Sequence, residues 1–294
     1  MRLSDNIKGA VWMTGSMAAF ALNDTCMKLV TADMTVAQAV VLRGIGATVL
    51  IGVLAARFGA LRFRFSRGEW RLIMIRASAE IAMTWFFLKA LTEMPIANLH
   101  AVTQALPMTV ALAAAVFLRE PIGLRRMIAI LLGLVGVLLI VRPGSEGFDV
   151  YSLYGLAAVG FITLRDLLSR RLPPEVPSLT IAFITALVIT VFFALTSAAE
   201  PWAPVTLVHA QLLGAAAIFI FFGYLLSVMT MRVGDIGFIA PFRYTGLIFA
   251  LILGFVVFDD WPAPLTFLGA GIVVGTGLFM LYREQVLLRR ERLV

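Results

Sequence analysis

Residues 96–120, IANLHAVTQALPMTVALAAAVFLRE, resemble residues 236–260, IGFIAPFRYTGLIFALILGFVVFDD, when the chain is shifted by 140 positions. Leu112 then matches Ile252, and Glu120 matches Asp260. Each stretch is a long apolar run that ends in an acidic residue and precedes a segment rich in small residues. The repeated pattern predicts that the chain is built from two related halves.

The chain contains more apolar sequence than a water-soluble protein can bury. Of its 294 residues, 61% are hydrophobic and only 14% are charged. Continuous apolar runs of about 18 residues or more are typical of membrane-spanning helices, whereas strands of a membrane barrel alternate in hydrophobicity. We therefore predict an all-α polytopic membrane protein. Its ten transmembrane helices are expected at about residues 7–30, 36–57, 70–92, 95–118, 124–142, 152–171, 178–198, 206–230, 236–258 and 264–283.

The two halves are predicted to have opposite orientations in the membrane. A shift of 142 positions places NDTCMK (23–28) on RDLLSR (165–170), so that Asp24 matches Asp166. Residues 1–145 and residues 146–294 each receive five helices. Because five is an odd number, the second half enters the membrane from the other side. Inverted repeats in transporters place the substrate site between the halves, near the middle of the membrane.

The distribution of Lys and Arg predicts the orientation of the whole chain. If the N-terminus is cytoplasmic, most basic residues lie in cytoplasmic loops, whereas the opposite side carries only Lys28, Lys89 and Arg142. Because Lys and Arg collect on the cytoplasmic side of membrane proteins, we predict that both termini are cytoplasmic. The first helix lacks a cleavage-site motif and is expected to remain uncleaved.

The composition argues against several other functions. The net charge of +7 comes from arginines in short loops, and no basic groove interleaved with aromatic residues indicates nucleic-acid binding. The single cysteine excludes an intrachain disulfide. With two histidines and no H-E-x-x-H motif, the chain offers no enzyme active site. We therefore expect no enzymatic activity, no cofactor and no metal site.

Charged residues inside the predicted helices are the first functional candidates, because a charge in the membrane interior is costly unless it is paired or hydrated. Asp24 and Arg43 lie at similar depths in neighbouring antiparallel helices. We predict that they form a structural ion pair, and a direct role with the substrate is the alternative. If the pair is structural, exchanging the two residues should preserve folding and transport.

The third predicted helix carries a second set of charges. Arg76 and Glu80 lie four residues apart and therefore face each other, and Thr84 continues the same face. Glu80 lies near the middle of the membrane. It is expected either to pair with Arg76 within the helix or to meet a substrate amine or a proton in a cavity.

The fourth predicted helix carries a polar stripe at helical spacing, made of His100, Thr103, Gln104 and Pro107. Such a stripe lines either a cavity or a helix contact. The proline frees a backbone carbonyl, which predicts a kink that contributes to gating. The ninth predicted helix opens with APFRYTG (240–246), in which Pro241 is the second candidate kink.

Arg243 in the same motif is a candidate for binding a substrate carboxylate, because its planar guanidinium can contact both oxygens. Pairing with Asp166 or Asp235 is the alternative. Aromatic residues away from the helix ends are candidates for the cavity wall, whereas the glycine-rich fifth and tenth helices are expected to pack closely. The candidate substrate-binding residues are Trp12, Ser16, Glu80, Thr84, Trp85, His100, Thr103, Gln104, Tyr224, Arg243 and Tyr244.

Several motifs together resemble the EamA-type branch of the drug/metabolite transporter superfamily. They are the two five-helix halves, Arg43 within AQAVVLRGIGATVL (37–50), and an acidic residue followed by proline in FLREPIG (117–123). VVFDDWPAPLTFLGAGIVVGTGLFML (256–281) repeats the last pattern, although Thr185 occupies the position that matches Arg43. Within the superfamily, the chain resembles bacterial inner-membrane exporters of amino acids, including aromatic ones.

The resemblance implies a multi-pass protein of the bacterial inner membrane that exports amino acids and related small metabolites by alternating access around a central cavity. Buried residues of both charge signs beside aromatic walls suit a zwitterion. Efflux of lipophilic cations by the same fold is the alternative, although the buried arginines outnumber the buried acids. The expected partners are a small-molecule substrate and the lipid bilayer, and the sequence predicts no oligomeric state.

Overall fold

A computed structural model describes residues 3–118, 123–141, 150–173, 175–230 and 236–291. Within these ranges the chain forms α-helices and one short 3-10 helix, and no strand. The 3-10 helix covers Ala240–Tyr244. The α-helices are α1 (Leu3–Val30), α2 (Val36–Arg57), α3 (Arg67–Glu93), α4 (Ile96–Thr103), α5 (Leu106–Leu118), α6 (Leu124–Val141), α7 (Val150–Arg170), α8 (Ser178–Ser197), α9 (Leu207–Thr230), α10 (Ile236–Ile239), α11 (Thr245–Phe258) and α12 (Pro264–Glu291).

Eight segments of the described residues are long and apolar enough to cross a membrane. They confirm the predicted class, a helical polytopic membrane protein. Helices α1 and α3, with 28 and 27 residues, are long enough as well but carry more charges along their length. The count of ten spans therefore stays a prediction. Three predicted features lie outside the described residues. They are the boundary between residues 145 and 146, Glu120 and Asp235.

The starts of α2 and α3 are fixed by side-chain caps. The Thr35 hydroxyl accepts a hydrogen bond from the Gln38 backbone N–H at 3.2 Å. At α3, Ser66 and Glu69 cap each other's backbone N–H groups, and capping of this kind defines where a helix begins. The hydrogen bond from the Ser66 N–H lowers the pKa of the exposed Glu69 carboxyl.

The span predicted at about residues 95–118 is present as an apolar segment over Ile96–Phe117, and its helix is interrupted close to the kink predicted at Pro107. Helix α4 ends at Thr103 and α5 begins at Leu106. Pro107 has no N–H group and cannot donate to the Thr103 carbonyl, so the helix is interrupted one turn earlier. The segment 236–258 is interrupted as well, by the 3-10 helix that contains Pro241. Under the shift of 140 positions, the two interruptions fall at matching places, Gln104 and Tyr244.

The main helix contacts join the first part of the chain to the second. Helix α1 packs against α9, α3 against α7, α2 against α8, and α6 against α12. The closest approach is between α6 and α12. A Cβ atom built on Gly269 would lie 2.5 Å from the Gly136 carbonyl oxygen, and one on Gly136 would lie 2.8 Å from the Gly269 carbonyl oxygen. The glycine-rich helices therefore serve close packing, as predicted.

Candidate functional site

Glu80 is the centre of a buried charge network between α3 and α7. Its side chain is almost fully enclosed, with 3% of its surface exposed. Arg165 Nη1 donates to Glu80 Oε1 at 3.0 Å, and Arg76 Nη2 lies 3.6 Å from Glu80 Oε2. The predicted pair of Arg76 and Glu80 is thus present, but the shorter contact comes from Arg165, on the other half of the chain.

Both arginines have further partners that fix their guanidinium groups. Arg165 donates to Asp166 Oδ1 from Nε at 2.9 Å. Arg76 donates from Nε to the Ser169 hydroxyl at 2.9 Å and from Nη1 to the Thr185 hydroxyl at 2.8 Å. The network therefore joins α3, α7 and α8. The residue that the repeat aligns with Arg43 is Thr185, and its hydroxyl accepts one of the hydrogen bonds from Arg76.

Asp24 belongs to a second cluster, and its partner is not Arg43. Asp24 Oδ2 lies 3.0 Å from His100 Nε2. Asn23 lies between the predicted partners: its Nδ2 donates to Asp24 Oδ1 at 2.9 Å, and its Oδ1 accepts from Arg43 Nη1 at 3.3 Å. No direct ion pair joins these two described side chains. They interact electrostatically through the intervening amide, because Asp24 turns toward α4.

Tyr224 of α9 connects the two clusters. Its phenol is near enough to Glu80 and Arg165 of the first cluster and to Arg43 of the second for a charge on it to interact with them, and 37% of the residue is exposed. Its ring packs edge-on against Phe20 of α1, at 5.6 Å between centroids. One residue earlier, the Gly223 carbonyl accepts a hydrogen bond from the buried Ser16 hydroxyl at 2.7 Å. Helices α1, α2, α3, α7 and α9 therefore present one continuous polar region.

This polar region has balanced charges and two unused hydrogen-bonding atoms. Three guanidinium groups, on Arg43, Arg76 and Arg165, face the carboxylates of Asp24, Glu80 and Asp166. Arg43 Nε and Glu80 Oε2 are buried and make no hydrogen bond. Buried polar groups normally have partners, so one free donor and one free acceptor indicate a place for a ligand. Among the described residues, no cluster of His, Cys, Asp and Glu could hold a metal ion.

Several predicted cavity residues lie beside this region. Thr84 is buried one turn beyond Glu80. The Thr103 hydroxyl donates to the His100 carbonyl at 2.8 Å, so it supports the end of α4. Gln104 lies at the helix interruption, where its Nε2 is 3.8 Å from the position of a Cβ atom built on Gly246. Trp12 is half-buried on α1.

Other predicted site residues lie elsewhere. Arg243 is exposed, whereas Tyr244 beside it is buried. The Tyr244 hydroxyl makes no hydrogen bond. It packs directly against Gly277 of α12, where a larger side chain would collide with it. Trp85 is 38% exposed and packs against Tyr154 of α7, at 5.6 Å between centroids. Tyr244 and Trp85 thus serve helix packing in this structure.

Exchanging Asp24 and Arg43 is expected to fail. In the double variant Asp24→Arg/Arg43→Asp, the arginine would face His100 and the new aspartate would face the Asn23 carbonyl oxygen. We expect the double variant to give no more folded protein than either single variant. Size-exclusion chromatography and thermal unfolding of the purified proteins measure this. Recovery of wild-type stability in the double variant would instead indicate a direct ion pair.

A helical membrane bundle that encloses a charge-balanced polar region has the architecture of a membrane transporter. The sequence profile described as EamA-like transporter family matches residues 7–142 and again residues 150–283. The chain therefore belongs to the EamA-like transporter family, which confirms the resemblance drawn from its motifs. A crystal structure of a protein with 20% sequence identity has the same fold, with a TM-score of 0.65 over 97% of this chain and 99% of that one.

Similar proteins include transporters with different substrates. The S-adenosylmethionine uptake transporter of Rickettsia conorii is 24% identical over 293 residues, 98% of this chain and 97% of that protein. The riboflavin transporter of Vibrio cholerae is 24% identical over 289 residues, 97% of each chain. The pseudopaline exporter of Pseudomonas aeruginosa is 24% identical over 261 residues, 87% of this chain and 89% of that protein.

Proposed function

We propose that this transporter carries small zwitterionic metabolites that contain an α-amino-acid group, amino acids among them. The observation that carries the proposal is that a buried region of balanced charge contains one acceptor, Glu80 Oε2, and one donor, Arg43 Nε, that make no hydrogen bond. Arg76 Nη2 lies 3.6 Å from Glu80 Oε2, which leaves that oxygen able to accept a hydrogen bond from a ligand. The substrate ammonium would approach Glu80, and the substrate carboxylate would approach Arg43. The aromatic ring of Tyr224 lies within electrostatic reach of both.

The charge balance favours a substrate without net charge. Moving an ion into a membrane interior is costly unless opposite charge is waiting there. A lipophilic cation would need an acidic residue without a partner, whereas Glu80 and Asp24 each contact a basic side chain. A zwitterion brings both signs and preserves the balance. Efflux of lipophilic cations is therefore the less favoured function.

Alternating access of two inverted halves, 1–145 and 146–294 with five spans each, is the mechanism that we propose. The helix contacts support it, because they are symmetric between the halves. If α1, α2, α3 and α6 correspond to α7, α8, α9 and α12, the α1–α9 contact corresponds to the α3–α7 contact, and the α2–α8 and α6–α12 contacts each correspond to themselves. The helix interruptions at residues 104–105 and 240–244 overlap under the shift of 140 positions, although Pro107 and Pro241 themselves do not match, and they would serve as the moving joints. The bacterial inner membrane, with both termini in the cytoplasm, is the proposed location.

S-adenosylmethionine is a second candidate substrate. The relative of that name aligns over nearly the whole of both chains. The molecule contains an α-amino-acid group, so Glu80 and Arg43 would have the same roles as with an amino acid. Its sulfonium adds one positive charge that the balanced region does not compensate, so an amino acid fits the site better. Export of an amino acid and uptake of such a metabolite would use the same site. An exchange assay identifies the substrate whether the protein normally imports or exports it.

Removing either free group is expected to weaken substrate binding. In proteoliposomes, exchange of labelled phenylalanine, tryptophan, methionine and S-adenosylmethionine is compared with uptake of a lipophilic cation. Arg43→Gln and Glu80→Gln should each raise the half-saturation concentration by roughly 10- to 100-fold, the equivalent of about 1.5–3 kcal/mol for a hydrogen bond to a charged group. Arg57→Gln, on the same helix but exposed, is the matched control. Uptake of the cation alone would contradict the proposal.

A further inference from the structure

Both histidines of this chain are paired with an aspartate from its N-terminal segment. His100 Nε2 lies 3.0 Å from Asp24 Oδ2, and His209 Nε2 lies 3.0 Å from Asp33 Oδ2. The two pairs differ in their surroundings. The side chains of Asp24 and His100 are 12% and 10% exposed, whereas that of Asp33 is 67% exposed. One pair therefore lies within the bundle and the other lies at its surface, which provides an internal control.

Asp24 has two possible partners, and only one is in contact. It contacts His100 directly and reaches Arg43 only through Asn23. Arg43 Nε has no acceptor. An ionised carboxylate can only accept hydrogen bonds, so His100 Nε2 carries a hydrogen in this contact. An additional proton would therefore enter at His100 Nδ1 and turn the hydrogen bond into an ion pair.

We propose that His100 is a proton-binding site that controls substrate binding at Arg43. Protonated His100 holds Asp24 in an ion pair and leaves Arg43 free for a substrate carboxylate. Neutral His100 holds Asp24 only by a hydrogen bond, so that Asp24 can turn to Arg43 and compete with the substrate. This inference rests on the proposed function, because the carboxylate is the ligand of Arg43. By linkage, a bound carboxylate then raises the affinity of His100 for a proton by the same factor by which the proton raises the affinity for the carboxylate. A proton gradient directed into the cell would drive uptake of the substrate.

Few other ionisable groups act on the pair. Cys26 of α1 and Arg43 of α2 interact electrostatically with Asp24, and Tyr224 of α9 interacts with Arg43. Helix α11, which packs against both α1 and α4, has no ionisable residue. The remaining groups on helices packed against α1 or α4 pair with each other, serve packing or lie toward helix ends. They are Arg67, Glu69, Arg71, Arg76, Glu80, Lys89, Glu93, Arg125, Arg126, Tyr151, Tyr154, Arg165, Asp166, Arg170, His209, Arg243, Tyr244, Tyr282 and Arg283.

The experiment measures the half-saturation concentration for exchange of labelled L-phenylalanine by the full chain in proteoliposomes at two symmetric pH values. For the wild type we expect a value about tenfold lower at about pH 6 than at about pH 8, the range in which histidine titrates. His209→Gln should keep this pH dependence. An acidic exterior should also drive accumulation of the amino acid, whichever way the protein is inserted.

Two variants at the pair should lose the pH dependence in opposite ways. Asp24→Asn cannot compete for Arg43, so it should bind L-phenylalanine at both pH values as the wild type does in acid. His100→Gln is always neutral, so it should bind at both pH values as weakly as the wild type does in base. Equal half-saturation concentrations for the wild type at both pH values would overturn the inference. Absence of exchange at either pH would instead contradict the proposed function on which it rests.

A second measurement does not depend on variants that fold. Because the chain has two histidines, isotope labelling of histidine gives two ring signals by NMR, and His209→Gln identifies the one from His100. We expect the His100 signal to differ between the two pH values used for exchange and to move toward its acid position when L-phenylalanine is added. A His100 signal that is the same at both pH values, with and without L-phenylalanine, would overturn the inference.

Discussion

Replacing Arg165 by glutamine is expected to destabilise the protein more than any other single change in the polar region. The substitution removes the 3.0 Å partner of the enclosed Glu80 carboxylate and leaves only Arg76, at 3.6 Å. Removing one member of a buried ion pair costs about 3–5 kcal/mol, because the other charge stays buried without compensation. For a chain of this size we expect the unfolding temperature of the purified protein to fall by roughly 10 °C.

A double variant separates the lost contact from a general disturbance of packing. Glu80→Gln/Arg165→Gln removes both charges, so it should be more stable than Arg165→Gln alone, although it should transport poorly because the substrate ammonium loses its acceptor. Arg171→Gln, at an exposed position just beyond α7, should change stability by less than about 0.5 kcal/mol. If the loss of stability in the double variant equals the sum of the losses in the two single variants, the two side chains do not stabilise each other.

The helices could be predicted from sequence because their lengths follow from general constraints. Apolar length is set by the membrane, and a capping residue such as Thr35 defines where a helix begins. Helix α2 was expected at residues 36–57 and is observed at Val36–Arg57. Pro107 predicted a kink in the fourth span, and the structure shows a full interruption at residues 104–105. A proline indicates where a backbone hydrogen bond is missing, but tertiary packing decides whether the helix bends or stops.

The partners within the site could not be predicted in the same way. Depth along a helix follows from residue number, but rotation about the helix axis does not, because lipid-facing and buried positions are both apolar here. One residue changes the facing direction by about 100°. Asp24 and Arg43 lie close enough to be bridged by Asn23, but Asp24 faces His100. The contact between Arg165 and Glu80 could not be predicted for the same reason.

Substituting Gly269 by alanine is expected to separate α6 from α12. The added Cβ would lie 2.5 Å from the Gly136 carbonyl oxygen, which belongs to the backbone and can move only with its helix, and 2.8 Å from Ile140 Cγ1. Overpacking of this kind costs about 1–3 kcal/mol. We expect the unfolding temperature to fall by roughly 5 °C or more. Gly275→Ala, on the same helix with open space around it, should be neutral or slightly stabilising, since alanine favours a helix over glycine.

The same pair of variants tests whether α6 and α12 belong to the scaffold or to the substrate site. The polar region is formed by α1, α2, α3, α7 and α9, with His100 contributed by α4, and among the side chains that the structure describes none of its hydrogen bonds comes from α12. Gly269→Ala should therefore lower stability while leaving the half-saturation concentration for substrate within about threefold of the wild type, a difference of less than about 0.7 kcal/mol in binding. A tenfold change with intact folding would place the contact between α6 and α12 in the transport cycle itself, because then the approach of the two glycines would have to vary as the site opens and closes.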